Sequence, residues 1–349
     1  MATSFKIVGR IPTPKEDNFC EVKNSTNGRT HLLHFNVRSG SNTFRMNLMG
    51  YLANDESART VYAFKKENGK NVKCNFPYAE REKHIKELSE FSKMIIVDGD
   101  DRFECCHNVD YITELHNKIN AGYFENRLVR VDGEIEYSKY RNKEGIEVQG
   151  KKYIPKRIYL LSKETEEIAE ANMELYIDEN SILAGENEAT MVLAGKIAQY
   201  NSKVKKDTLF EEKVEFNFEE NSVKALEIMK DRLNLDKKDI GKLNKLGVKV
   251  DLIRGSEDIE LTRDMLSDEE NDLIDLGLMS IEELKKEKGM GKGAFREKNI
   301  FKGLSKGYSS GAMLTDSSLS DFEEKMELDT NDVFGVGSVE TISEDDIPF

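Results

Sequence analysis

Residues 31–52, HLLHFNVRSGSNTFRMNLMGYL, contain two segments in which apolar and polar residues alternate around a short turn. The apolar residues of these segments are Leu33, Phe35, Val37, Phe44, Met46 and Leu48. The intervening residues are His34, Asn36, Arg38, Arg45, Asn47, Met49 and Tyr51. A period of two residues is typical of a β-strand with one buried face. The stretch therefore predicts two paired strands, with the second set of residues facing away from the core.

Three further segments have the composition of strands: residues 5–11, 127–140 and 156–162. Pro12 and Pro14 end the first of them, because proline lacks the backbone N–H that a sheet needs. Together with the pair at 31–52 these make five short strands, with Gly50 and Gly133 at bend positions. Short strands bent at glycines are typical of a small curled barrel. We expect a mainly β fold with α+β additions.

The predicted barrel domain, residues 1–162, contains a long insertion at about 57–122. Apolar residues at helical spacing predict one helix over residues 79–94 and a second over residues 108–120. The insertion therefore separates the third predicted strand of the barrel from the fourth.

The rest of the chain divides into three parts by composition. Residues 163–288 alternate strand and helix patterns and predict a second α+β domain. It ends in a pair of short helices that begin with Ser-x-x-Glu capping boxes at Ser267 and Ser280. Residues 289–315 are rich in Gly, Ser and Lys, which predicts a flexible linker. Residues 316–349 are predicted to be a disordered acidic tail.

The bulk properties of the 349-residue chain indicate a soluble protein in a reducing compartment. It is 38% hydrophobic and 34% charged. No apolar run approaches the roughly 20 residues that a membrane helix needs, and the first residues lack a secretory pattern. Four irregularly spaced cysteines are too few for a disulfide framework. We expect a cytoplasmic protein that does not contact membranes.

The net charge of −14 is unevenly distributed. Residues 316–349 carry eleven Asp and Glu against one Lys, whereas residues 1–162 carry 27 Lys and Arg against 22 Asp and Glu. A basic domain and an acidic tail in one chain favour a polyanionic partner, because the tail and a nucleic acid can compete for the same basic surface.

Five short motifs occur in a fixed order along the chain: Val8-Gly9-Arg10-Ile11, Phe35-Asn36-Val37, Leu48-Met49-Gly50, Val131-Asp132-Gly133 and Asp345-Asp346-Ile347-Pro348-Phe349. Their order resembles the bacterial single-stranded DNA-binding protein family, whose members have an OB-fold barrel and an acidic tail with this tip. The resemblance covers about residues 1–162 and 340–349. The insertion and the second domain depart from the family and suit an enlarged version encoded by a phage or plasmid.

The resemblance implies a five-stranded OB barrel that coats single-stranded DNA in replication, recombination and repair, and a tail that recruits partner proteins. Exposed aromatics stack on bases and cations neutralise phosphates in such proteins. The candidate nucleic-acid-binding residues are Arg38, Arg45, Tyr51, Tyr62, Phe64, Lys65, Lys66, Tyr137, Lys139, Tyr140, Arg141, Lys151, Lys152, Tyr153, Lys156 and Arg157. In that interpretation the protein is not an enzyme and needs no cofactor.

A zinc site is the main alternative for the cysteines and histidines of the insertion. Its candidate ligands are Cys74, His84, Cys105, Cys106 and His107. Adjacent cysteines do not easily bind one tetrahedral ion together, and no C-x₂₋₄-C pair exists. Buried thiols are the favoured interpretation, so no metal is expected.

A second alternative is a metal-dependent nucleic-acid enzyme that uses Asp98, Asp100 and Asp101, since clustered carboxylates bind Mg²⁺. The same residues, in VDGDDRFE, also have the composition of a turn, which we favour. No nucleophile–base arrangement stands out, so no catalytic residues are predicted. A third alternative is an adaptor that carries the tail without binding DNA.

The acidic tip is the candidate partner-binding segment, and its residues are Glu344, Asp345, Asp346, Ile347, Pro348 and Phe349. Recognition of an acidic motif with a C-terminal carboxylate is an established binding mode. Phe349 supplies apolar area, while the rigid backbone of Pro348 reduces the entropy lost on binding.

Removing Phe349 from a peptide of residues 340–349 should abolish capture of the replication and repair proteins that bind such tails, because the apolar anchor is lost. Replacing Asp345 and Asp346 with asparagine should mainly slow association, since these charges steer the encounter. Pull-down and surface plasmon resonance measure the two effects. Identical capture by the peptides with and without Phe349 would contradict the proposed anchor.

Overall fold

The computed structural model describes residues 3–14, 19–142, 145–161, 165–178, 180–185, 190–201, 206–217, 244–256, 263, 266–281, 283–284 and 295–305. The strands, numbered in chain order, are β1 (Thr3–Arg10), β2 (Cys20–Asn24), β3 (Gly28–Ser39), β4 (Asn42–Ala53), β5 (Thr60–Glu67), β6 (Lys70–Pro77), β7 (Met94–Asp98), β8 (Asp101–Cys105), β9 (Leu128–Arg141), β10 (Glu147–Leu160), β11 (Ile168–Ile177), β12 (Ile182–Ala184), β13 (Thr190–Asn201), β14 (Lys206–Asn217), β15 (Asn244–Ser256) and β16 (Phe295–Leu304). The α-helices are α1 (Arg81–His84), α2 (Asn108–Asn120) and α3 (Asp268–Asp275). Short 3₁₀ turns cover Glu56–Ala58, Tyr78–Glu80, Ile85–Glu87 and Glu90–Ser92.

Five strands close the first barrel. β1 pairs antiparallel with β9, β9 with β10, and β3 with β4. β10 runs parallel to β4, with Tyr153 opposite Met46, and β3 returns to β1 where Arg38 lies opposite Arg10. This pairing order, with a parallel contact between the third and fifth strands, is that of an OB barrel. The predicted fold class, mainly β with α+β additions, is confirmed.

The alternation in residues 31–52 corresponds to the two faces of the β3–β4 pair. Leu33, Val37, Phe44 and Met46 are completely inaccessible to solvent and form part of the main core. The intervening residues face outward, as the sequence predicts. Burial of these side chains is the main stabilising contribution, at roughly 1.5–3 kcal/mol for a fully buried large apolar side chain.

Two glycines allow strands of the first barrel to approach closely. A Cβ atom on Gly133 would overlap the carbonyl oxygen of Ile154 and the ring of Phe5. One on Gly9 would overlap the carbonyl oxygen of Arg38 at the point where β1 meets β3. A side chain at either position would therefore push neighbouring strands apart.

The insertion between β4 and β9 adds a β5–β6 hairpin, a β7–β8 hairpin and helix α2. The predicted helix over 108–120 is confirmed, and its buried residues Tyr111, Ile112, Leu115 and Ile119 pack into the barrel core. β7 extends the sheet by pairing with β10.

The helix predicted over residues 79–94 is wrong beyond a single turn. Only α1 is α-helical, short 3₁₀ turns follow it, and Met94 begins β7. Tertiary contacts override the helical pattern, since Leu88 forms a β-bridge to Lys65 and its side chain is buried beneath the β5–β6 hairpin. The hydroxyl of Ser89 donates to the carbonyl of Phe64.

The second domain contains strands and a helix, as predicted, and its strands form a second barrel. β11 pairs with β13 and β15, β13 with β14, β15 with β16, and β14 runs parallel to β16. The order is the same as in the first barrel. The sequence pattern did not predict this closure.

The prediction of a linker over 289–315 is wrong for residues 295–304, which form β16 and close the second barrel. Asn299, in the middle of β16, is buried, and strand residues on both sides of it hydrogen-bond to β15. Apart from Ser305, the remaining residues of the predicted linker lie outside the described residues. Both predicted capping boxes are present, at Ser267 and Ser280.

The two barrels form one continuous sheet. β1 and β11, the first strand of each barrel, pair antiparallel from Ser4 opposite Asn172 to Val8 opposite Ile168. A single core cluster contains residues of both barrels. Within the described part of the chain, no helix is long and apolar enough to span a lipid bilayer.

Replacing Gly133 with alanine should lower the free energy of unfolding by about 1–3 kcal/mol, the usual cost of overpacking a well-filled site. The matched control is Gly303→Ala on β16, where a Cβ atom would meet nothing within 4 Å. The control should be neutral or slightly stabilising, because alanine restricts the unfolded chain. Urea unfolding followed by circular dichroism measures both variants. Equal stability of the two would contradict the close approach at Gly133.

Candidate nucleic-acid interface

Four cations on the outer surface of the first barrel form a row across its strands. Lys152 on β10 lies beside Arg45 on β4, because their neighbours Tyr153 and Met46 are in register. Arg45 lies opposite Asn36 on β3, and two residues further along β3 is Arg38. Arg38 lies opposite Arg10 on β1. We call Lys152, Arg45, Arg38 and Arg10 the basic stripe.

The charges of the basic stripe are poorly neutralised by the protein. Among the described residues, Arg38, Arg45 and Lys152 have no carboxylate within ion-pair distance. Glu136 on β9 lies opposite Lys152 in register but forms no ion pair with it. Like charges directly opposite each other in a sheet are destabilising. An arrangement that brings cations together without counter-charges suits a polyanionic ligand.

Uncharged polar side chains accompany the basic stripe. His34 and Asn47 lie opposite each other on β3 and β4, with 3.0 Å between His34 Nδ1 and Asn47 Oδ1. Burial lowers the pKa of His34, nearby Arg45 and Lys152 lower it further, and the Asn47 contact and Glu21 act in the opposite direction. His34 is therefore mainly neutral at pH 7, and the positive charge of this face comes from the basic stripe.

Two exposed tyrosines lie on the outer surface of the first barrel, each beside a glycine of the neighbouring strand. The ring of Tyr51 on β4 occupies the space that a side chain at residue 28 would need. The ring of Tyr140 on β9 lies against Gly150, two residues before Lys152 on β10. Tyr51 is 42% exposed and Tyr140 is 53% exposed. Rings held against glycine leave a face available for base stacking.

Tyr62, Phe64, Lys65 and Lys66 lie apart from the basic stripe, on the separate β5–β6 sheet. Tyr62 is 80% exposed and remains accessible. The ring of Phe64 packs on Phe91 at 5.0 Å between centroids, and Lys65 forms an ion pair with Glu67.

The predictions for Tyr137, Tyr153 and Lys151 are contradicted. Tyr137 and Tyr153 are 3% and 2% exposed, so neither ring can stack on a base. Their pKa values are raised, chiefly because burial disfavours the phenolate. Lys151 forms ion pairs with Glu212 and Glu297 of the second barrel at 2.9 and 3.3 Å. Tyr137 and Lys151 belong to the contact between the barrels. Tyr153 instead packs in the core of the first barrel against Phe5 and Phe44.

The remaining predicted cations lie at the ends of the β9–β10 hairpin. Lys139 pairs with Glu147 near the tip, where Arg141 is exposed. At the other end Arg157 donates to the carbonyl of Glu90 and thereby holds the insertion against β10, while the neighbouring Lys156 is half-buried. Of this group only Arg141 extends the exposed basic surface.

Sequence reasoning missed Arg10 and the His34–Asn47 pair as site residues. Arg10 belongs to a quoted motif, but only the β1–β3 register places it beside Arg38. His34 and Asn47 could have been found from the alternating pattern of residues 31–52, which places both on the outward face of the β3–β4 pair.

The possible zinc ligands are engaged in other contacts. His107 caps α2 through its Nδ1, which accepts from the N–H of Val109, and His84 stacks on Phe76 at 4.3 Å. Burial raises the pKa of Cys106 to about 11 and that of Cys105 still further, so both remain protonated thiols. In the described ranges, no three His, Cys, Asp or Glu side chains are grouped to hold a metal ion.

Asp98 and Asp101 flank the turn of the β7–β8 hairpin, as the preferred interpretation of VDGDDRFE predicted. The carboxylate of Asp98 pairs with Arg127 at 2.6 Å and accepts from the hydroxyl of Tyr123. These hydrogen bonds lower the pKa of Asp98. The carboxylate thus has a structural role in tying the hairpin to the segment before β9.

The second barrel does not repeat the basic stripe in its described residues. The outward faces of β13 and β14 carry the carboxylates Asp207, Glu211 and Glu215 among their lysines. Glu215 is paired with Lys298 of β16 at 3.0 Å. The candidate interface is therefore on the first barrel. The predicted partner-binding tip, residues 344–349, lies outside the described residues.

Comparisons with known proteins give limited matches. A family model described as YorF matches residues 110–250. A search of curated proteins gives no match. A solved structure of a deletion mutant of the single-stranded DNA-binding protein from Thermus aquaticus is similar, with a TM-score of 0.33 and 10% identity. The alignment covers 73% of this chain and 87% of that chain. At this level of similarity, the fold assignment rests on the strand pairing itself.

Replacing Arg45 with methionine should raise the pKa of His34 toward its ordinary value of about 6.5, because a nearby positive charge is removed. Lys139→Met is the control, since Lys139 is neutralised by Glu147 and is not among the groups that shift His34. NMR titration of the imidazole protons measures both. In the unsubstituted protein the unfolded chain binds this proton more readily, so the His34 contribution to stability decreases as pH falls below about 6.5. An unchanged His34 titration in Arg45→Met would contradict the described geometry.

Proposed function

We propose that this protein binds single-stranded DNA across the basic stripe of its first barrel. The observation that carries the proposal is the register of β10, β4, β3 and β1, which aligns four cations, three of which have no carboxylate partner among the described residues. OB barrels commonly bind oligonucleotides on the face of their second and third strands, here β3 and β4.

Single strands are held by a basic track together with aromatic rings on which bases stack. The basic stripe supplies the track, and Tyr140 and Tyr51 are exposed rings on the same outer surface of the first barrel. Tyr62 on the β5–β6 hairpin is a further exposed ring. Arginine and lysine contact phosphates, which every sequence shares, so we propose binding that is largely independent of sequence.

The biological role that fits this binding is coating and protecting single-stranded DNA during replication and recombination. We propose that the acidic tip, Glu344 to Phe349, recruits partner proteins to the coated strand, as its sequence motif suggests. We further propose a binding role without catalytic turnover, because the conspicuous carboxylate Asp98 is committed to Arg127 and Tyr123.

Replacing Arg45 or Lys152 with alanine should weaken binding of oligo-dT and lower the slope of log K against log salt by roughly 0.7 each, the value for one phosphate contact on a single strand. Lys213→Ala, an exposed lysine on β14 of the second barrel, is the control and should leave both quantities unchanged. Fluorescence anisotropy at several salt concentrations, with duplex DNA of equal length in parallel, measures the effect.

Two outcomes would contradict the proposal. Equal affinity for duplex and single strands would exclude a single-strand interface. Absence of any DNA binding, combined with specific capture of replication proteins by the tail, would instead establish the adaptor alternative.

A further inference from the structure

A cleft of about 470 Å³ lies at the Arg10 end of the basic stripe. It is lined by residues from β1, the β3–β4 turn, the segment before β9 and the segment between the two barrels. The lining includes Arg10, Arg38, Gly40 and Glu167. Glu167 directly precedes β11, so its position is fixed by the junction of the barrels.

The carboxylate of Glu167 has the contacts that a phosphate group makes in proteins. Its Oε2 accepts from the backbone N–H of Gly40 at 2.6 Å, and its Oε1 lies 3.6 Å from Nε of Arg10. Gly40 has φ +57°, a left-handed conformation favoured by glycine, in the turn between β3 and β4. Backbone N–H groups and arginine side chains are common donors to phosphate oxygens.

The cleft is lined by two arginines and two glutamates, and among the described residues only Arg10 and Glu167 lie within ion-pair distance of each other. Arg38 lines it without an ion pair among the described residues. The other carboxylate of the cleft, Glu125, accepts from the hydroxyl of Thr13 at 2.8 Å and makes no ion pair with either arginine. Arg38 is therefore left without an ion pair although two carboxylates line the cleft, and a phosphate could make both contacts of Glu167 and approach Arg38 as well.

We propose that this cleft is a phosphate site at the end of the DNA track, and that Glu167 occupies the phosphate position until a backbone phosphodiester displaces it. The inference rests on the proposed function, since the phosphodiester belongs to the strand that crosses the basic stripe. Glu167 then competes with the DNA phosphate for the cleft. This competition weakens DNA binding and raises the DNA concentration needed to occupy the cleft.

Glu167→Gln tests the proposal, because glutamine keeps an oxygen for the N–H of Gly40 and removes only the charge. We expect oligo-dT to bind about two- to fivefold more tightly at low salt, the scale of one exposed ion pair. The difference should shrink as salt rises. The matched control is Glu125→Gln, which removes a charge from the same cleft without releasing an arginine and should give a smaller change or none.

Two further binding experiments identify which residues form the site and which phosphate of the DNA occupies it. The gain from Glu167→Gln should disappear when Arg10 is also replaced by glutamine. It should be the same for oligo-dT with a 5′-phosphate and with a 5′-hydroxyl, as a backbone phosphodiester requires. A gain confined to the 5′-phosphorylated strand would overturn the phosphodiester assignment in favour of a terminal phosphate.

Failure of this inference is distinguishable from failure of the proposed function. If the unsubstituted protein binds oligo-dT and Glu167→Gln binds no more tightly, or no more tightly than Glu125→Gln does, the cleft is not a phosphate site and Glu167 only holds the β3–β4 turn. If neither the unsubstituted protein nor Glu167→Gln binds oligo-dT, the proposed function and this site are both overturned. Thermal unfolding of each variant verifies that the fold is retained.

Discussion

The pairing of β1 on both of its edges is the constraint on which the rest of the structure depends. One edge, from Thr3 to Arg10, pairs with β9 and closes the first barrel. The other edge pairs with β11 from Ser4 to Val8 and meets β3 at Arg10. Because one strand completes the first barrel and joins it to the second, the position of the second barrel follows from the register of β1 with β11.

A buried polar network strengthens this junction and limits what the inner side of the β9–β10 hairpin can do. Glu212 of β14 accepts from the hydroxyl of Tyr137, from Lys151 and from the side-chain amide of Asn299. The side chain of Gln199 hydrogen-bonds to both the N–H and the carbonyl of Tyr137. Removing one partner of a buried ion pair, such as Lys151 and Glu212, typically lowers the free energy of unfolding by about 3–5 kcal/mol. One face of the β9–β10 hairpin therefore packs against the second barrel. The other face, which carries Lys152 and Tyr140, is open to solvent.

The two barrels share a strand order but present different outer surfaces. In the first, β3 and β4 carry cations and amides and few carboxylates, whereas carboxylates are mixed with lysines on the corresponding β13 and β14. A duplicated topology thus does not imply two equivalent interfaces. The second barrel contributes to the proposed interface indirectly, by fixing the hairpin and by placing Glu167 at the end of the basic stripe.

The sequence by itself determined the elements and faces of the first barrel, because the period of two in residues 31–52 separates core residues from outward residues without reference to any partner. It also determined the capping boxes and helix α2, whose signals lie within a few neighbouring positions. Only the tertiary structure decided which basic and aromatic residues remain accessible. Tyr137, Tyr153 and Lys151 have the same local pattern as Tyr140 and Lys152, yet their positions along the strands place them on the inward face, where Tyr153 joins the core of the first barrel and Tyr137 and Lys151 contact the second barrel. The meeting of Arg10 with Arg38, the closure of the second barrel by β16 and the position of Glu167 all depend on pairing between residues far apart in the chain, which local periodicity does not encode.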